Sequence, residues 1–403
     1  MDKILIFNNK LYLTSLFLIS IVLGLLYFYF SPNSMLEQGD ASGYDKIGWN
    51  IAQGYGFSDD GISPSAMRAP IYPYFLGLVY NFEGQSYCSI RIIQILLNSL
   101  CVLLVYFIGK DVFSKRVGNI SALIYAIYPG FIMFTGFLMT EILSTFFLLS
   151  AIAIIIKSLR KKSILLAGGG GILLGLSTLT KPSTLFFPIF LITISLMRKE
   201  YRSYIKYYTV LLIIMIITVI PWTIRNYVTF DKLIPVSIFT GYNFYLGSFH
   251  PDDKSSFSLE EFKADYWEDP IEKDKFYLNK SIERIFSAPA DFISYMPLKL
   301  IYFYLPFGLA VIGSSTSAIA ITLIFSQFIL LFFALLGIYR CGFTKQSVLL
   351  INLILYFTII HLIIISVPRF NIPIMPFLII FNAHGMLFLY QKIRNKILLK
   401  YSF

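Results

Sequence analysis

The chain has 403 residues, of which 57% are hydrophobic and 14% charged, with 33 Lys and Arg against 22 Asp and Glu and a formal net charge of +11. A water-soluble domain of this size cannot bury so much apolar surface, because single cores stop growing and leave polar residues outside. The apolar residues come in unbroken runs and do not alternate as barrel strands do, so the composition excludes a membrane β-barrel and leaves an all-α integral membrane protein.

In chain order, nearly charge-free runs at 11–30, 89–109, 117–137, 142–156, 164–179, 184–197, 207–222, 317–338, 347–366 and 371–390 predict about ten spanning helices. The first run follows Lys3 and Lys10 and resembles a signal peptide. It is long, however, and Ser31-Pro32-Asn33 follows it rather than a small-residue cleavage site, so it reads as an uncleaved first span. An external loop, 31–86, comes next. Within it Ala41–Gln53 reads as a short helix, with Asp40 as N-cap and Gly54 as the stop. The run Arg68-Ala69-Pro70-Ile71-Tyr72-Pro73 predicts an extended approach to the aromatic stretch 74–82, which suits the membrane interface. Gly168–Gly171 lies in a span and lacks the Lys-Ser/Thr of a phosphate loop, so it reads as close helix packing.

The second external segment, 223–316, holds most of the acids. Ser258-Leu259-Glu260-Glu261 has the spacing of a capping box and opens a charged helical region that runs to about Phe286. Residues 297–313 carry Pro297, Lys299 and Pro306 and read as an interfacial or re-entrant piece. The whole chain, 1–403, is thus one polytopic membrane domain with two external loops, 31–86 and 223–316.

Basic residues in short loops set the orientation. With the N-terminus in the cytoplasm, the inner segments hold 19 Lys and Arg and three acids, leaving 14 and 19 outside. Both termini are therefore expected in the cytoplasm of a multi-pass cell-membrane protein, and the basic balance calls for no nucleic acid. Cys88 and Cys101 share one predicted helix and Cys341 lies elsewhere, while His250, His361 and His384 are scattered. No disulfide framework, metal site or cofactor is expected.

An ionisable side chain at membrane depth costs about 2.5–3.5 kcal/mol on the insertion scale, so such groups usually have a role. Glu141, Lys181, Arg225 and Arg369 all fall at the outer ends of spans, on the same face as Asp40 and Arg68. Four cations from separate segments converging on two carboxylates predict a site on the external face.

These residues sit in an ordered series of motifs. The series begins with Asp40-x3-Tyr44-x2-Ile47-Gly48, Gly54-Tyr55-Gly56-Phe57 and Arg68-x-Pro70-x-Tyr72-Pro73. Leu138-x-Thr140-Glu141, Leu179-Thr180-Lys181-Pro182, Pro221-Trp222-x2-Arg225-Asn226, Gly241-Tyr242-Asn243 and Arg369-Phe370-x2-Pro373 follow. The series resembles the GT-C membrane glycosyltransferases, in particular the protein O-mannosyltransferase-like group that includes the lipid A aminoarabinose transferase. Lys181 departs from it, since that group usually has Arg there. The resemblance implies inverting transfer of a hexosyl or pentosyl group from a polyprenyl-phosphate-linked sugar to a glycan, lipid or protein acceptor. It further implies Asp40 as catalytic base with Glu141 as second carboxylate, and Arg68, Lys181, Arg225 and Arg369 on the donor phosphate. Tyr44, Tyr72, Asn226 and Asn243 would contact substrate. A lipid-linked glycan polymerase or ligase, or a flippase, is the alternative. A flippase needs polar residues deep in several spans, whereas these spans keep their charges at the outer ends.

Overall fold

The computed structural model describes residues 9–30, 39–251, 269–306 and 318–400. The Ser258–Glu261 motif and the end of the 297–313 segment lie outside the described residues. In chain order the helices are α1 (Asn9–Phe30), α2 (Asp40–Ala52), α3 (Ile71–Glu83), α4 (Tyr87–Val112), α5 (Lys115–Ile127) and α6 (Pro129–Phe134). Next come α7 (Glu141–Lys161), α8 (Ile164–Thr180), α9 (Phe187–Met197), α10 (Ile205–Phe230) and α11 (Thr240–Gly247). The last are α12 (Pro270–Ser287), α13 (Pro289–Tyr304), α14 (Ala318–Arg340), α15 (Lys345–Ile363) and α16 (Met375–Lys400). Short 3-10 turns at Pro182–Thr184, Lys199–Tyr204 and Pro368–Ile374 lead into α9, α10 and α16.

Side-chain caps start several of the long helices. Ser86, Ser114, Ser163 and Thr344 accept from the backbone N–H three residues on, which satisfies one of the four donors that a helix start leaves open. Among the described residues, seven helical segments are long and apolar enough to cross a membrane, and Ile164–Thr180 and Pro182–Met197 are shorter apolar helices. The expected span at 117–137 is broken: Tyr128 is extended (φ −69°, ψ 119°) and Pro129 opens a new helix. The residue before a proline avoids the helical region, so α5 must stop there.

The segment between α1 and α4 departs from the expected local structure in two places. Gly39, at φ +60°, holds the N-cap position of α2, and Asp40 is the first helical residue rather than a cap. Pro70 and Pro73 do not extend the chain. Pro70 precedes α3 and Pro73 lies in its first turn, where a missing N–H costs nothing. α2 and α3 then cross at small residues, since a Cβ on Gly48 would meet Leu76 at 2.7 Å and one on Gly77 would meet Ile51 at 2.7 Å.

The same device packs the bundle. A Cβ on Gly171 would lie 2.7 Å from the Leu211 carbonyl of α10, and one on Gly170 would lie 2.9 Å from Ile155 of α7. Gly168 and Gly169 face only ordinary contacts at 3.8 Å, so half of the glycine run does the close packing. Between α14 and α16, a Cβ on Gly337 would overlap the Phe381 carbonyl. Gly337→Val should therefore destabilise the detergent-solubilised protein by roughly 1–3 kcal/mol or more, the usual cost of overpacking. Gly168→Ala should be neutral or slightly stabilising, because alanine favours helix over glycine. Thermal unfolding of both variants checks the pair, and equal melting points would contradict this packing.

Candidate active site

Five segments that are distant in sequence deliver their charged side chains to one place. Asp40 opens α2, Arg68 stands in the loop before α3, Glu141 opens α7, Lys181 ends α8, and Arg369 lies in the turn Pro368–Ile374. All five line a cavity of about 640 Å³. Arg68 Nη1 donates to Asp40 Oδ1 at 2.7 Å, and Arg369 Nη2 takes the other carboxylate oxygen. Lys181 Nζ donates to Glu141 Oε1 at 3.0 Å. Glu141 sits on the first turn of α7, where the helix dipole favours a negative charge.

The cavity lining is mixed in character. The charges share it with polar residues such as Tyr44 and Asn243. Leu185, Phe186, Leu246, Ile360, Ile364 and Val367 contribute apolar surface. Three cations against two carboxylates leave the wall with one net positive charge. Burial pushes the Asp40 carboxyl up, but Arg369 and Arg68 outweigh it and hold the group at about 2. Because its folded value lies below the unfolded one, the pairing stabilises the protein above the ordinary carboxyl range and is lost only as pH falls towards 2.

Four of the expected residues need relocation or a narrower role. Arg225 lies off the described cavity wall: its Nη1 donates to Ser65 O (2.7 Å) and Asn226 Oδ1 (3.0 Å), and its Nη2 to Phe57 O (3.4 Å). Its guanidinium is wedged between the Trp222 and Phe230 rings. Asn226 is fully buried and donates to Ile234 O at 3.0 Å. Tyr72 is fully buried too, and its hydroxyl donates to Gln94 Oε1 at 2.9 Å. These three brace the surrounding helices and connections and leave the wall to others. Lys181 lines the wall with its ammonium held by Glu141, so part of its charge is already offset there.

Several residues that matter here escaped the sequence reading. Phe239 takes a left-handed conformation (φ +37°), unusual for a bulky residue, and lays its ring 5.1 Å from the Arg68 guanidinium, opposite Tyr44 at 5.0 Å. Arg91 and Gln94 of α4, both buried, hold the turn before Glu141: Arg91 Nε donates to Gly136 O, and Gln94 Nε2 to Thr135 O and Phe137 O. They lie three apart on one face of a run that reads as nearly charge-free, and that spacing is the signal that could have exposed them. Lys299, buried in α13, donates to Gly247 O at the end of α11, which carries Asn243. Burial pushes its ammonium down to about 8.

Taken together, this is a helical membrane fold with a charged cavity assembled from loops and helix ends. Residues 67–223 match the dolichyl-phosphate-mannose-protein mannosyltransferase family. The fold is similar to that of the oligosaccharyltransferase AglB from Archaeoglobus fulgidus. A structure of it in complex with an inhibitory peptide and a dolichol-phosphate matches at 15% identity and TM-score 0.60, over 98% of this chain and 52% of that one. A structure of the same organism's oligosaccharyltransferase with Zn and sulfate matches at 14% identity and TM-score 0.60, covering 96% and 50%. Its apo form matches at 15% and 0.59, covering 98% and 52%. The chain therefore spans about half the length of the solved proteins it resembles. No curated protein matches the sequence. The fold and the matched segment thus agree with the resemblance to GT-C membrane enzymes that the motifs carry.

The two arginine environments separate stability from chemistry. Arg225→Ala should lower the melting temperature, because it leaves carbonyls of the first loop unpaired, each worth about 1–3 kcal/mol when buried. Arg369→Ala should lower it less, because Asp40 keeps Arg68 as a partner. Differential scanning fluorimetry on both variants tests the division, and a Tm loss confined to Arg369→Ala would reverse it.

Proposed function

We propose that the protein is an inverting glycosyltransferase that moves a sugar from a polyprenyl-phosphate donor to an acceptor hydroxyl at the external membrane face. The observation that carries this reading is the Asp40 carboxylate flanked by Arg68 and Arg369 in a cavity that apolar side chains also line. A phosphodiester-linked sugar carries one negative charge and so balances the single net positive charge of the wall, while its prenyl chain suits the apolar part of the lining.

In this mechanism the acceptor oxygen attacks the anomeric carbon from the face opposite the phosphate. The bond between that carbon and the phosphate oxygen breaks, and its electron pair leaves with the phosphate. The leaving group needs cations rather than a proton, and Arg68 and Arg369 supply them with fork-shaped donors that suit phosphate oxygens. The acceptor's proton passes to Asp40, and attack from the opposite face inverts the configuration. Glu141, fixed by Lys181, faces the same cavity and accepts a hydrogen bond from the acceptor or from a sugar hydroxyl. Tyr44 and Asn243 contribute the remaining polar surface. The acceptor is a glycan, lipid or protein hydroxyl.

The helix ends support the external placement. Glu141 and Lys181 lie at one end of α7 and α8, whereas Arg160, Lys161 and Lys162 lie at the turn that joins their other ends. Arg160 pairs there with Asp111, in the turn between α4 and α5, at 3.3 Å. The basic turns and the cavity thus occupy opposite ends of the same helices, as expected if the basic side faces the cytoplasm.

Asp40→Asn should reduce transfer to background, with protein yield and elution profile unchanged, when assayed with a polyprenyl-phosphate sugar in membranes. Turnover near that of the parent would remove Asp40 as the base. For orientation, Ser402→Cys should resist an impermeant thiol reagent in intact cells, while Ser256→Cys should react. Labelling at 402 would place the C-terminus outside.

A further inference from the structure

The cavity wall itself supplies an anion to the two arginines. Asp40 uses one oxygen for Arg68 and the other for Arg369, so the carboxylate bridges both guanidinium groups. Arg68 cannot swing away from this position freely. Its guanidinium lies between the rings of Tyr44 and Phe239, and a Cβ on Gly43 would meet its Nη2 at 3.1 Å. Arg369 is seated against the Phe370 ring and the Met139 sulfur. Both cations are thus fixed on the cavity wall, facing a negatively charged group held between them.

A bridging carboxylate and a phosphate need the same feature, two convergent guanidinium forks. Two anions brought side by side on those forks also repel each other strongly in a partly buried site. The same contact weakens Asp40 as a base, because a carboxylate stabilised by two cations gives up little by staying unprotonated. The arrangement is complete for holding Asp40 and incomplete for using it.

We propose that donor phosphate and the Asp40 carboxylate compete for Arg68 and Arg369, so that donor binding releases Asp40 to act as base. The inference rests on the reading of the cavity as a lipid-phosphate site and deepens it. The donor binds first and takes the arginines. Asp40 then loses its two partners, faces the acceptor hydroxyl and gains basicity at the moment when a leaving group is in place. Without donor the base stays neutralised, which protects the site from unproductive proton transfer. After transfer, the freed lipid phosphate departs as Asp40, having lost its proton to water, returns to the arginines.

The test measures binding of farnesyl monophosphate, a short polyprenyl phosphate, to the purified full chain in detergent by calorimetry. Asp40→Asn removes the competing charge while keeping the shape, and should bind this probe about tenfold more tightly than the parent, the equivalent of one charge-assisted hydrogen bond regained. Asp40→Ser, well suited to a helix start, provides a second charge-free variant and should behave alike. Asp40→Glu retains the charge and should keep the parent's weaker affinity. Equal affinity in the parent, Asp40→Asn and Asp40→Ser, with Arg369→Ala binding more weakly, would overturn the competition while leaving the phosphate site standing. No binding of the probe by the parent or by any charge-free variant would overturn the phosphate reading together with this inference.

Discussion

The arrangement depends on one requirement: charges carried into an apolar bundle must meet a partner. Asp40 and Glu141 each find cations delivered by other segments, and those pairings tie the start of α2, the loop before α3, the start of α7, the end of α8 and the turn before α16 into one cluster. Removing one partner would leave an uncompensated charge, which is far more costly than removing both. The bundle is therefore constrained to bring five distant points of the chain together at the end of its helices.

A second set of buried polar groups does the same for the backbone. At membrane depth, irregular chain survives only where its N–H and C=O groups are satisfied by protein. Arg91 and Gln94 satisfy the carbonyls of the turn before Glu141, and Trp222 and Asn226 satisfy Val236 and Ile234. Lys299 satisfies Gly247, and Asn371 satisfies Phe303. Each donor comes from a helix or helical turn and each acceptor lies at a helix end or in a connection. These brackets turn loops into fixed walls, which lets a cavity with strict geometry be built from segments that are not regular structure. Phe239, held at a positive φ beside Arg68, belongs to such a wall.

Most of the architecture was legible in the sequence, because the apolar runs and the basic turns report directly on the cost of exposing charge to hydrocarbon. The helix expected at 41–53 is present as α2, and the described part of the region expected up to about 286 is the helix α12. The break at Tyr128-Pro129 was also readable in principle from the residue before a proline, yet the run's even hydropathy masked it. Arg91 was overlooked for a related reason. A single buried cation in an apolar helix barely changes the run's hydropathy, and its role appears only when the turn it binds is brought alongside.

By itself the sequence determined that this is a helical membrane protein, which residues stand at helix ends, and that cations and carboxylates gather on one side. These are consequences of solvation energy per residue, which needs no knowledge of neighbours. Only the tertiary structure decided which of those charges share a cavity. Arg225 and Arg369 both fall at the outer ends of apolar runs in the sequence. One is used up by the carbonyls of Ser65 and Phe57, and the other reaches Asp40. The difference lies in which segments each arginine meets, more than a hundred residues away in the chain. Contacts of that kind leave no local pattern for a sequence to display.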